Sequence, residues 1–115
     1  MKWLKELYVG EKVQAKAKSL LRTAERGKKS KSDKCYLITL SSYPNAQLDL
    51  MSFQESRNKA YQGEKITVLG LAASKADALA LLEVMANDCL KQSGSLKMKE
   101  FFANRPLVSW REVSV

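Results

Sequence analysis

Basic side chains are the chemical groups that cluster most clearly in this 115-residue chain. The first 34 residues hold eleven lysine or arginine side chains and four acidic ones, whereas the remainder is close to neutral. Such a segment can neutralise phosphates and release counterions, which gives salt-sensitive, sequence-independent binding to nucleic acid. The candidate residues for this binding are Lys12, Lys16, Lys18, Arg22, Arg26, Lys28, Lys29, Lys31 and Lys34.

A solvated surface is the competing interpretation of the same basic residues. Lysine is the usual solubilising residue on an exposed helix face. Aromatic side chains that could stack on bases do not interleave with the basic ones, because Tyr8 and Tyr36 only flank the segment. Nucleic-acid binding is therefore the alternative hypothesis and not the first.

Most catalytic chemistries lack their side chains here. The chain has no histidine, which removes imidazole bases and the triads built on them. Two cysteines without a CxxC pair make no standard zinc site, and the five glycines are too widely spaced for a dinucleotide or P-loop motif. The SxxK match at Ser56–Lys59 is expected by chance. We predict no enzyme activity, catalytic residue, cofactor or metal, with an anion-dependent site near 72–75 as the weakest hypothesis.

Cys35 and Cys89 indicate the redox environment in which the protein is found. Two isolated cysteines fit free, buried thiols in a reducing environment, although a disulfide between them stays open. The start of the chain is interrupted by Lys2, Lys5 and Glu6, and no apolar run reaches membrane-spanning length. These features predict a cytoplasmic protein without membrane insertion.

The stretch from 65 to 92 carries the clearest structural signals. Residues 66–72 form an apolar, β-branched run of strand length. Ser74 with Asp77 predicts a helix start, and Gly94 predicts its end. The residues expected to form the inner face of this helix are Leu79, Leu82, Ala86, Cys89 and Leu90.

The basic segment is predicted to be an amphipathic helix at 11–27 followed by a mobile basic linker at 28–34. The residues expected to form its buried stripe are Val13, Ala17, Leu20, Leu21 and Ala24.

Two strands at 36–40 and 48–51 predict a hairpin that turns at 43–46. Ser52 and Glu55 predict a further helix closed by Gly63, and Ser95 a short helix that ends at Pro106. Residues 107–113 form either an edge strand or an unpaired arm. The expected fold is one α+β domain with a small, mainly antiparallel sheet of three or four strands and 36–40 in the middle.

The succession of 36–40, 48–50, 70–72 and 77–82 resembles a loose class of short uncharacterised bacterial proteins. The shared pattern is a hairpin, then a strand, a small-residue turn and an alanine- and leucine-rich helix, over about residues 35–90. The resemblance implies a bacterial cytoplasmic protein and brings no activity, cofactor or catalytic residue. The basic first third lies outside it.

The missing catalytic groups and the apolar ends of the chain favour a non-catalytic intracellular interaction or regulatory module. Its partner would be another protein or a second copy of the chain. The candidate partner-binding residues are Trp3, Leu7, Tyr8 and Trp110, since large aromatic side chains often anchor interfaces.

Overall fold

A computed structural model describes residues 1–26, 34–57 and 66–115 as an α+β fold. The strands are β1 (Lys2–Val9), β2 (Tyr36–Leu40), β3 (Leu48–Ser52), β4 (Thr67–Ala72) and β5 (Leu107–Val108). The α-helices are α1 (Ala17–Arg26), α2 (Phe53–Ser56), α3 (Lys75–Ser93) and α4 (Met98–Ala103), and two 3-10 helices span Glu11–Lys16 and Trp110–Glu112.

The sheet has five strands in the order β3-β2-β4-β1-β5. β2 lies between β3 and β4 and is antiparallel to both, so the predicted antiparallel neighbours on both sides of 36–40 are confirmed. The middle strand of the sheet is β4 and not β2 as predicted. The expected count of three or four strands is wrong, because β1 and β5 also join the sheet. β1 pairs parallel to β4, and β5 pairs antiparallel to β1, so one of the four described pairings is parallel.

β1 has no clear strand pattern in the sequence. Its apolar residues come as the pairs Trp3-Leu4 and Leu7-Tyr8, a spacing that resembles a helix face more than an alternating strand. The pairing with β4 shifts register between Trp3 and Tyr8, and such an irregularity breaks the alternation of side chains.

Helices cover both faces of the sheet. Leu37, Ile38 and Thr39 are consecutive in β2 and all are at most 1% exposed, which requires cover on both sides. Tyr8 of β1 bonds to Asp88 of α3, whereas the next residue, Val9, lines a small cavity with residues of the first 3-10 helix and α1. α3 therefore lies on one face, and α1 lies on the other.

The predicted ends of α3 are confirmed. The Ser74 hydroxyl accepts a hydrogen bond from the Asp77 amide at 3.2 Å, and the Asp77 carboxylate accepts one from the Ala73 amide at 2.9 Å. Gly94 ends the helix with a left-handed φ of 74°.

The predicted inner face of α3 is confirmed at Cys89, which is 0% exposed, and is wrong for Leu79 and Leu90. The buried residues are Ala78, Leu81, Met85 and Cys89, whereas Leu79 is 53% and Leu90 48% exposed. Apolar residues lie all round this helix, so the spacing of apolar residues in the sequence is compatible with more than one buried face.

The N-terminal helix differs from its prediction in one respect. Its first six residues form a 3-10 helix, and α1 begins only at Ala17. All five residues of the predicted buried stripe are at most 5% exposed, so that prediction is confirmed. Residues 28–33 of the predicted linker lie outside the described residues, and Lys34 is exposed.

α2 begins with the capping box that the sequence predicts: Ser52 and Glu55 each accept a hydrogen bond from the other's backbone amide. The predicted extension of this helix to Gly63 lies outside the described residues. α4 begins at Met98, so Ser95 is not its cap; the Ser95 hydroxyl accepts a bond from the Lys97 amide instead.

The tail after α4 is neither a full edge strand nor a free arm. Only Leu107 and Val108 pair with β1, and the chain then turns into the second 3-10 helix. The Ser114 amide returns to the Lys5 carbonyl at 2.8 Å, which fixes the end of the chain against β1. Over the described ranges, no helix combines the length and apolar character needed to cross a membrane.

Candidate nucleic-acid interface

The outer surface of α1 carries a row of basic side chains. Lys18, Arg22 and Arg26 are four residues apart, so they lie along one side of the helix, and all three are exposed. This side of α1 faces solvent because Leu20, Leu21 and Ala24, on the other side of the helix, are buried in the core. We call these three residues the α1 basic row.

The remaining basic candidates divide into two groups. Lys12 and Lys16 are exposed on the 3-10 helix that leads into α1, and Lys34 is exposed just before β2. Lys28, Lys29 and Lys31 lie outside the described residues. Within the described part, the basic surface therefore runs from the 3-10 helix along α1.

Trp110 lies beside the α1 basic row, a contact that the sequence did not predict. The Arg22 guanidinium is 5.7 Å and the Arg111 guanidinium 5.1 Å from the centre of the indole ring, both over its face. These distances fall within the range of cation–π attraction. Trp110 is half-buried, and both arginines are exposed. The pairing of β5 with β1 brings the tail to α1 and so creates this contact.

A cavity of about 310 Å³ opens between α1 and the tail. Three basic side chains, Lys18, Arg22 and Arg111, share its wall with Trp110, and no carboxylate lines it. The other lining residues are Ser19, Leu21 and Val113. The cavity therefore combines a positive potential with an aromatic surface, which suits an anionic ligand that carries a ring.

Glu25 is the acidic side chain of α1, and its carboxylate interacts with groups at the start of the chain and not with the α1 basic row. Its carboxylate accepts a hydrogen bond from the Trp3 indole at 2.9 Å and lies 3.6 Å from the N-terminal ammonium group. The carboxylate is thus directed towards β1. The α1 basic row keeps most of its positive potential as a result.

Of the predicted partner-binding residues, Trp110 is the one that lies beside the α1 basic row. Trp3 is 0% and Leu7 8% exposed, so both side chains belong to the core. Tyr8 is half-buried and bonds to Asp88. Arg111 was not among the predicted binding residues. Nothing in the sequence of the tail indicates that this segment packs against α1.

The two thiols add no reactive group to this surface. Cys35 and Cys89 are both buried and free. Burial raises the pKa of the Cys35 thiol, which keeps it protonated and unreactive as a nucleophile. No cluster of three or more potential metal ligands occurs among the residues with described positions.

No protein-family model, curated protein or solved structure matches this chain. Function is therefore inferred from the geometry of the described surfaces alone.

Proposed function

We propose that this protein is a non-catalytic interaction module that binds single-stranded nucleic acid through the α1 basic row and Trp110. The contact of Trp110 with Arg22 and Arg111 is the observation that carries this proposal. The basic segment itself contains no aromatic residue that could stack on bases, which argued against nucleic-acid binding. Trp110 supplies that aromatic residue from the tail. Basic grooves with stacking aromatics are the usual means of binding single strands without sequence preference.

The arginine side chains and Trp110 would bind different parts of a nucleotide. The exposed guanidinium groups can donate paired hydrogen bonds to phosphate oxygens, and the indole can stack on a base. The guanidinium groups sit more than 5 Å from the ring centre. A base could therefore take the place of one guanidinium over the indole, while that guanidinium moves to a phosphate.

Replacing Trp110 with alanine should weaken binding to single strands by about 5- to 150-fold, since stacking contributes about 1–3 kcal/mol per base. The salt dependence should stay the same, because no charge is lost. Fluorescence anisotropy with a labelled random single-stranded oligonucleotide would measure both. Trp110→Phe is the matched control and should retain most of the affinity, whereas equal binding by all three proteins would contradict a stacking role.

A cytoplasmic location and the absence of catalysis form part of the proposal. Two buried free thiols suit a reducing compartment. The chain has no histidine, and burial keeps Cys35 protonated, so the usual nucleophile and base pairs are missing.

A second candidate function is self-association through the outer side of α3. Leu79 and Leu90 are about half exposed on one side of this helix, and Leu82 and Ala86 lie partly buried on the same side. A continuous row of exposed and partly exposed apolar side chains is typical of an interaction surface. Antiparallel pairing about a two-fold axis sets Leu79 of one copy beside Leu90 of the other, with the small Ala86 near the crossing.

The fold favours a second copy as the occupant of this surface. α1 lies on the opposite face of the sheet, so two copies can meet at α3 without bringing their basic surfaces together. One helix of about 28 Å supplies a small interface, which implies a weak, concentration-dependent dimer.

Leu79→Glu with Leu90→Glu should convert that dimer to a monomer, because each interface would bury unpaired carboxylates. Sedimentation velocity between about 5 and 500 μM would show the change, since micromolar affinity is typical of weak interfaces. Leu96→Glu is a control at another exposed leucine outside α3 and should leave the dimer intact. A monomeric parent protein over the whole range would refute this candidate.

A further inference from the structure

A separate cleft lies between β1, the end of α3 and α4, away from the α1 basic row. Its volume is about 570 Å³, within the range of small-molecule sites. Leu4, Phe102 and Pro106 supply an apolar lining. Six polar side chains share the cleft with them: Lys5, Glu6, Tyr8, Asp88, Gln92 and Arg105. Lys5, Glu6 and Gln92 are exposed, whereas Tyr8, Asp88 and Arg105 are half-buried.

Asp88 is held in the cleft by a neutral donor. The Tyr8 hydroxyl donates a hydrogen bond of 2.7 Å to its carboxylate. The Tyr8 ring meets Phe102 edge to face, with the ring centres 5.7 Å apart. Burial, together with the bond to Asp88, raises the pKa of Tyr8, so the hydroxyl keeps its proton at neutral pH. The carboxylate is thus oriented without having its charge cancelled.

Arg105 is fixed in a corresponding way. Its guanidinium donates to the side-chain oxygen of Gln92 and lies over the Phe101 ring, 4.5 Å from the ring centre. Among the residues whose positions are described, no ion pair joins Arg105 to Asp88. The half-buried charged groups of the cleft are therefore one negative and one positive side chain, each bonded to a neutral neighbour and not to the other. Lys5 and Glu6, the other charged residues of the lining, are exposed.

We infer that this cleft binds a free amino acid with an apolar side chain. The ligand carboxylate pairs with Arg105, its ammonium group pairs with Asp88, and its side chain lies against Pro106, the exposed apolar residue of the lining. A ligand with a carboxylate alone would leave the half-buried Asp88 without a charged partner, and an amine alone would do the same to Arg105. A zwitterion satisfies both groups at once. The proposed nucleic-acid surface uses none of these residues.

Isothermal titration calorimetry of the full chain with L-leucine and L-phenylalanine tests the inference. At least one of them should bind saturably below about 10 mM, the weak limit of a specific small site. The singly charged analogues 4-methylpentanoate and 3-methylbutylamine should bind at least about tenfold more weakly, since each lacks one charge-assisted contact. No saturable binding by either amino acid, or equal binding by a singly charged analogue, would overturn it.

Variants locate the site. Asp88→Asn, which can still accept the Tyr8 hydrogen bond, and Arg105→Gln should each reduce the affinity at least about tenfold. Lys91→Gln removes an exposed positive charge on α3 that does not line the cleft and should leave the affinity unchanged. Circular dichroism confirms that each variant is folded. Full affinity in folded Asp88→Asn would also overturn the inference, and the analogue series on the parent protein tests it independently of any variant.

Discussion

Replacing Lys18, Arg22 and Arg26 together with alanine is expected to lower the affinity for single-stranded oligonucleotides at least about a hundredfold, or about 2.7 kcal/mol. Each exposed side chain of the α1 basic row is placed to contact a phosphate, and a charge-assisted contact of this kind contributes more than 1 kcal/mol. The slope of log affinity against log salt should fall by about 2, because about 0.7 counterions are released per contact on a single strand. Anisotropy titrations at several salt concentrations measure both quantities.

Lys75, Lys91 and Lys97 provide the matched control for this triple variant. They are exposed, they lie on or beside α3, and their replacement with alanine changes the net charge by the same amount. This control variant should lose much less affinity for the oligonucleotide if the α1 basic row is the binding site. Equal losses in the two triple variants would instead mean that only the overall charge of the protein matters, and the proposed site would be wrong.

Trp3→Ala is expected to destabilise the fold by about 3–5 kcal/mol, the usual range for removing a buried tryptophan. Trp3 is 0% exposed, and its indole also bonds to Glu25, so the change leaves a cavity between β1 and α1 and removes one hydrogen bond. Domains of this size are stable by about 5–15 kcal/mol, so much of the margin would be lost. Urea unfolding followed by circular dichroism measures the change.

Trp110→Ala is the comparison for this stability prediction. Trp110 is half-buried at the end of the chain, and its loss should cost about 1 kcal/mol or less. The two tryptophans thus have opposite expected roles: Trp3 stabilises the fold, and Trp110 binds the ligand. A Trp3 variant no less stable than the Trp110 variant would contradict the placement of β1 inside the sheet.

The elements that the sequence predicts well are those specified by neighbouring residues. The start of α3 depends on Ser74 and Asp77, and its end depends on Gly94. The capping box at Ser52 and Glu55 is equally local. Side-chain bonds within three or four residues need no knowledge of the rest of the fold, which is why these boundaries are correct.

The elements that the sequence misses depend on distant contacts. β1 becomes a strand through pairing with β4, which is far along the chain. The inner face of α3 is chosen by the sheet below it, where Gly70 leaves room for Leu81. Apolar residues round the whole helix leave that choice open in the sequence.

The candidate surface shows the same division. The exposure of Lys18, Arg22 and Arg26 follows from the buried stripe of α1 and could be predicted. The position of Trp110 beside Arg22 could not, because it depends on the pairing of Leu107 and Val108 with β1.

Titration of a labelled random single-stranded oligonucleotide with the parent protein at about 50 and 200 mM salt tests the proposed function most directly. Five basic residues are exposed along the first 3-10 helix and α1: Lys12, Lys16, Lys18, Arg22 and Arg26. Contacts from all five predict an affinity loss of about a hundredfold between these two salt concentrations. Micromolar binding at the lower salt with that loss would support nucleic acid as the partner. The absence of binding at 50 mM salt would contradict it, and these side chains would then be only a solvated surface.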